Sequence, residues 1–142
     1  LLDEATAAAE AMALCQRLNF LEQYDCGVRF FDLRVCELRA GLCFNHGIAD
    51  LGLVENHPSF FDMINKLKND KELVIFQIYL NNGKGENTRE GRQNALNKLM
   101  EMIQQKSNIQ PIQLTKDLLG NPTNYLTGSG VRGCIGYYSS HQ

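Results

Sequence analysis

The chain has 142 residues, 14 Lys+Arg against 16 Asp+Glu and a formal net charge of −2; with 44% hydrophobic and 21% charged residues it has the composition of a globular domain that buries a core. No stretch approaches the roughly 18 consecutive apolar residues of a membrane-crossing helix, so no transmembrane span is expected. The near-neutral balance, without a block of Lys or Arg, argues against a nucleic-acid partner, because that affinity comes mostly from neutralising phosphates over a basic face.

The chain starts at Leu1 rather than Met, with no charged segment, apolar stretch and small-residue cleavage site in sequence, so we expect its start to be a processing site or a cut. The five cysteines, Cys15, Cys26, Cys36, Cys43 and Cys134, contain no C-x-x-C pair that would suggest zinc or dithiol redox chemistry. Four of them fall within the first 43 residues. That clustering fits one or two local disulfides in an oxidising compartment, and it fits buried thiols equally well.

In chain order, the Ala-rich residues 3–14, led by Asp3 and Glu4, predict a helix. Asn19 with Glu22 three residues on has the form of a capping box, Leu18 and Leu21 supply an apolar side, and Gly27 stands where a helix stops. From Val28 to Val35 the chain is dense in β-formers and alternates poorly, the pattern of a strand covered on both faces. Leu42-Cys43-Phe44 predicts a second short strand, reached through Arg39-Ala40-Gly41. From Pro58, the spacing of Phe60, Phe61, Ile64 and Leu67 is helical and ends near Asn69-Asp70; Leu73 to Leu80 then reads as a buried strand, parallel to the first. A polar loop at 81–86 leads to a helix started by Asn87 and Glu90, with Leu96, Leu99, Met100 and Ile103 on one face. Ile112 and Leu114 suggest a short strand, Thr115–Leu119 a single helical turn, and Cys134–Tyr138 a closing apolar strand after a Gly-rich loop.

This order makes the chain α/β, either a small doubly wound sheet or part of a β/α barrel of the TIM type. A complete barrel takes about 250 residues, so the barrel reading makes residues 1–142 a single, partial or truncated barrel domain.

Two phosphate-loop patterns fail on context. Gly128-Ser129-Gly130-Val131-Arg132-Gly133 matches G-x-G-x-x-G, but a loop precedes it and a strand follows, where that fingerprint needs a strand and then a helix. Gly83-Lys84 lacks the upstream glycine and the following Ser or Thr of a nucleotide-binding loop.

The informative segment is Asp25 to Val35 followed by Phe44-Asn45-His46-Gly47. Asp32 and Arg34 are two apart on a strand and therefore share a side, and His46 ends the next strand. A guanidinium holds a phosphate through paired hydrogen bonds, and a histidine titrating near neutrality can protonate a leaving oxygen, which together outline phosphodiester chemistry. The competing structural reading makes Asp32–Arg34 an ion pair at a strand end and His46 a turn residue. His57, before Pro58, reads as a helix lead-in, and His141 lies in the tail.

Gly27-Val28-Arg29-Phe30-Phe31-Asp32-Leu33-Arg34, then His46-Gly47, then a helix and the strand at Glu72-Leu73-Val74-Ile75-Phe76, resembles the X-domain region of phosphatidylinositol-specific phospholipase C, most clearly over residues 16–80. The lead-in Gln23-Tyr24-Asp25-Cys26-Gly27 is similar to that family's E-Q-L-x-x-G-V-R approach. The resemblance implies a β/α barrel with its catalytic residues at the C-terminal ends of the strands. It also implies a two-histidine mechanism, in which one histidine activates the inositol 2-hydroxyl and the other protonates the leaving group. His46 matches the second histidine, Arg34 the phosphate-stabilising arginine of metal-independent members, and Asp32 the acid on the same strand. No metal or other cofactor is then required. Aligning the family's T-H-D-S-A-T stretch with Leu1-Leu2-Asp3-Glu4-Ala5-Thr6 puts Leu2 in the place of the first histidine and Asp3 in that of the following aspartate.

Gln77 and Tyr79, two apart on the later strand, can line the same mouth as substrate contacts. The expected partner is a phosphoinositide or related phosphodiester lipid at a membrane surface, in an extracellular or membrane-surface location. Self-association through exposed strand edges is a second expectation. The alternative function is a catalytically inactive module that binds phosphoinositide or sugar phosphate.

Overall fold

Asn19 caps the first described helix as the sequence predicts: its side chain accepts from the Glu22 backbone N–H at 2.9 Å while Glu22 reaches back to the Asn19 N–H. The computed structural model of the chain describes residues 18–46, 49–80, 88–115 and 133–139, so the predicted helix at 3–14, both dismissed glycine loops up to Arg132, the polar loop at 81–86 and the turn beyond Thr115 lie outside the described residues. Helix α1 (Phe20–Asp25) ends at Cys26, and Gly27 takes the left-handed φ of +100° that reverses the chain. Strand β1 follows at Phe30–Leu38, then β2 at Gly41–His46 and β3 at Ala49–Leu53. A single 3₁₀ turn (Val54–Asn56) leads to α2 (Pro58–Asp70) and β4 (Leu73–Leu80). Helix α3 (Arg89–Ser107), β5 (Ile112–Gln113) and β6 (Cys134–Ser139) complete the described elements.

The described residues form a mixed α/β fold with a six-stranded sheet in the order β3-β2-β1-β4-β6-β5. Strands β1, β4, β6 and β5 pair in parallel, and β2 and β3 extend the sheet as an antiparallel ribbon. Strand β3 had no clear signal in the sequence, because Ala49-Asp50-Leu51-Gly52-Leu53 is short and broken by Gly52. That glycine, at φ +90°, lies where the pairing of β2 with β3 shifts by one residue, the conformation a bulge asks of glycine. At α3, Thr88 rather than Asn87 is the cap, its hydroxyl accepting from the Gly91 N–H at 3.0 Å.

The core lies on one side of the sheet. Phe31, Leu33 and Val35 of β1 and Val74, Phe76, Ile78 and Leu80 of β4 meet Phe60, Met63, Ile64 and Leu67 of α2 and Leu96, Leu99 and Ile103 of α3. Phe60 is its centre, with ring contacts to Phe20, Phe44, Phe61 and Phe76 at 5.1–5.7 Å between centroids. Burial therefore alternates strictly from Phe30 to Val35, exposed then buried, where the sequence suggested cover on both faces. The reason is that Phe30 is 50% exposed: an aromatic residue on the far face gives the strand an apolar density that its burial does not share.

Gly133, last residue of the dismissed G-x-G-x-x-G pattern, has a packing role. A Cβ there would stand 2.3 Å from the Leu67 carbonyl oxygen, so only glycine lets β6 begin against the end of α2, where the Cys134 N–H donates to the Glu72 carbonyl.

Tyr24 and Arg29 tie the strand bottoms to the helices. The Tyr24 hydroxyl hydrogen-bonds Asp70 at 2.8 Å, and the Arg29 guanidinium lies 3.9 Å over the Tyr24 ring, donates to the Tyr24 and Val28 carbonyls and faces Glu72 at 3.7 Å. Lys66 and Asp25 form a further ion pair across the same joint. Burial, and then the bond to Asp70, pushes the Tyr24 hydroxyl up from 10.0 to about 12. The folded chain thus holds this proton more tightly than the unfolded chain. The resulting stability is fully present below pH 10.0 and is lost as pH rises through about 12. In urea unfolding over that window, Tyr24→Phe is expected to show a shallower loss of stability with pH than the parent chain; parallel slopes would contradict the assignment.

Candidate functional site

The residues that the core does not use lie on the opposite face of the same strands. In-register parallel pairing sets Phe30 beside Ile75, Asp32 beside Gln77 and Arg34 beside Tyr79, and continues to Gly136 and Tyr138 on β6. Strand alternation puts all of these on the side away from α2 and α3. The face is a short ladder: an apolar rung of Phe30 and Ile75 with Gly136, a polar rung of Asp32 and Gln77 with Tyr138, and a top rung of Arg34 and Tyr79. Leu114 reaches over Gly136, where an added Cβ would meet its side chain at 3.1 Å. Phe30 and Tyr138 make a ring contact at 6.5 Å.

Asp32 and Arg34 share a side, as the two-residue spacing predicts, and Gln77 and Tyr79 join them. The Arg34 Nη2–Asp32 Oδ2 separation is 3.6 Å, with the two side chains 44% and 50% exposed, and the guanidinium carbon stands 5.4 Å from the Tyr79 ring centroid. At 3.6 Å the pair attracts without forming a short hydrogen bond. An exposed pair of this kind adds at most about 1 kcal/mol, so it contributes little to the stability of the fold. Both residues sit near the C-terminal limit of the parallel pairing, which ends at Val35 with Leu80.

His46 is the last residue of β2, with its backbone paired to Ala49, and lies two residues beyond Phe44, the partner of Val35. The histidine backbone is therefore on the strand next to the one that carries Arg34. Asp3 and Leu2 lie outside the described residues, as does His141. His57 has a structural place: its Nε2 is 2.8 Å from the Leu51 carbonyl oxygen, and its ring packs edge-on against Phe44 at 5.1 Å. Arg29, the arginine of the G-V-R element, belongs to the joint with Tyr24 and Glu72 and not to this face.

Asn45 is a residue that the sequence reading passed over. It follows Phe44, which packs in the core, so it occupies the other face of β2, the side of Arg34. Its Oδ1 is buried and accepts no hydrogen bond among the described residues. A buried acceptor left without a donor destabilises a fold, which makes it a position where a ligand hydroxyl can supply one. The available signal was an asparagine, a poor strand former, between Phe44 and His46.

An exposed cation with a neighbouring acid, a half-exposed aromatic ring, an amide side chain and an orphaned acceptor form a surface that can hold a polyhydroxylated anion. Asn45→Val removes the orphaned oxygen and adds a β-branched strand former, and is expected to raise the free energy of unfolding by about 1 kcal/mol. Lower stability by urea denaturation would show that the oxygen is satisfied in solution.

Compared with protein-family models, with curated proteins and with solved structures, the chain matches none of them.

Proposed function

We propose that the sheet is an arc of a TIM-type β/α barrel and that its face opposite α2 and α3 binds the headgroup of a phosphatidylinositol-type lipid for metal-independent phosphodiester cleavage. The observation that carries this reading is the placement of Arg34 and Asp32 beside Gln77 and Tyr79, on the face opposite α2 and α3 and near the C-terminal limit of parallel strands. The resemblance of residues 16–80 to the phospholipase C X region supports it through the same Arg34, Asp32 and His46.

In this mechanism Arg34 takes two nonbridging phosphate oxygens on its fork and neutralises the charge that builds up as phosphorus becomes five-coordinate. The inositol 2-oxygen bonds to phosphorus as its proton passes to a base, and the bond from phosphorus to the glycerol oxygen breaks. His46, as imidazolium, delivers a proton to that leaving oxygen. The products are a cyclic inositol phosphate and diacylglycerol, and no metal enters the balance. Gln77 and Tyr79 contact the ring, and Asp32 orients Arg34. Asp3 stands beside the position of the base in the alignment.

The second reading is a module that binds the same headgroup without turnover. It is favoured by Leu2, which occupies the place of the first histidine and has no group to take a proton. Self-association through exposed strand edges is compatible with both readings.

The test is release of cyclic inositol phosphate from phosphatidylinositol vesicles with EDTA present, comparing the chain, Leu2→His and Leu2→His with Arg34→Ala. The expected result is turnover by Leu2→His at least tenfold above the parent chain, with a loss of 10²-fold or more on adding Arg34→Ala, in line with removal of one electrostatic stabiliser. Turnover unaffected by Arg34→Ala would overturn the site. Silence from all three folded proteins, with headgroup binding retained, would select the binding module.

A further inference from the structure

Cys36 on β1 and Cys43 on β2 are direct cross-strand partners, two residue pairs in from the Leu38–Gly41 end of the hairpin. They are also the two most buried of the described cysteines, at 4% and 2% exposure, and each alternates with a core residue, Val35 and Phe44 respectively, so both point to the same side of the ribbon. Facing residues in an antiparallel pair carry their Cβ atoms about 4.5–5.5 Å apart, and a disulfide spans about 3.5–4.5 Å between Cβ atoms, so a closure of about 1 Å brings the sulfurs into bonding geometry.

We propose that Cys36 and Cys43 form a cross-strand disulfide when the chain folds in the presence of a disulfide oxidant. The step is two thiol–disulfide exchanges. One cysteine thiolate attacks a sulfur of oxidised glutathione, giving a mixed disulfide and one glutathione thiol; the second thiolate then attacks the protein sulfur of that mixed disulfide and releases a second glutathione. The two cysteines lose two electrons and two protons, and one oxidised glutathione becomes two reduced molecules. The bond forms before the ribbon is packed, while both thiols are open to the oxidant.

The position gives the bond a consequence. Arg34 precedes Cys36 by two residues and Asn45 follows Cys43 by two, so the disulfide pins together the two strands that carry these residues. It selects one pairing out of those that the clustered cysteines allow and leaves Cys15, Cys26 and Cys134 outside it.

The test refolds the full chain with a mixture of oxidised and reduced glutathione, blocks the remaining thiols with N-ethylmaleimide and maps the peptides without reduction. The expected result is one linked peptide pair joining Cys36 to Cys43, with the other three cysteines alkylated. Bonds from Cys15 or Cys26 to Cys36 or Cys43, or alkylation of both partners, would overturn the proposal. A variant with Cys15→Ser, Cys26→Ser and Cys134→Ser keeps only the proposed pair. Its urea midpoint is expected to rise on oxidation and to return on reduction with dithiothreitol. An unchanged midpoint, or disulfide-linked dimers in place of the intramolecular bond, would count against it.

Discussion

The parallel pairing of β1 with β4 fixes two surfaces at once. A one-residue slip would exchange every inward side chain for an outward one, so the burial of Phe31, Leu33 and Val35 against Val74, Phe76 and Ile78 also decides that Asp32 meets Gln77 and Arg34 meets Tyr79. The polar ladder needs no stabilisation of its own to be held in place, because the hydrophobic face sets its register. The weakness of the Arg34–Asp32 pair follows from this. Apolar packing positions these residues, and the charged pair does little to hold them.

The two arginines of the G-V-R-F-F-D-L-R element divide the work. Arg29 lies over the Tyr24 ring, faces Glu72 and donates to two carbonyls; its own carbonyl accepts from the Ile75 N–H at 2.9 Å, which starts the β1–β4 ladder. Arg34, one rung from the end of that ladder, has a distant carboxylate and an aromatic face for company. One guanidinium fastens the fold and the other meets solvent. Motif matching treats them as equals, and their surroundings separate them.

Much of the fold was legible because its signals are local. The capping box at Asn19, the helix over Pro58–Asp70 and the strand from Leu73 to Leu80 appear where periodicity and end residues put them. Side-sharing by Asp32 and Arg34 follows from the two-residue repeat of any strand. Features that depend on what is across the sheet were not legible. Phe30 looks like a core residue until α2 and α3 are found packed on the other side of its strand, β3 exists because β2 offers it an edge and Gly52 permits a bulge, and the orphaned oxygen of Asn45 is defined by what, among the described residues, fails to reach it. Gly133, part of a phosphate-loop-like pattern, has a packing reason of its own, since glycine serves close backbone approach in a strand–helix contact as well as in a phosphate loop.

The proposed function rests on one face of one sheet, and a ligand titration addresses that face without requiring turnover. Backbone amide shifts of the isotopically labelled chain, followed while myo-inositol 1-phosphate is added, measure this directly. The account predicts saturable changes concentrated at Asp32–Arg34, Asn45, Gln77 and Tyr79, and their loss in Arg34→Ala. Changes centred on the helix-covered side, changes that persist in Arg34→Ala, or no saturable change at all would contradict it.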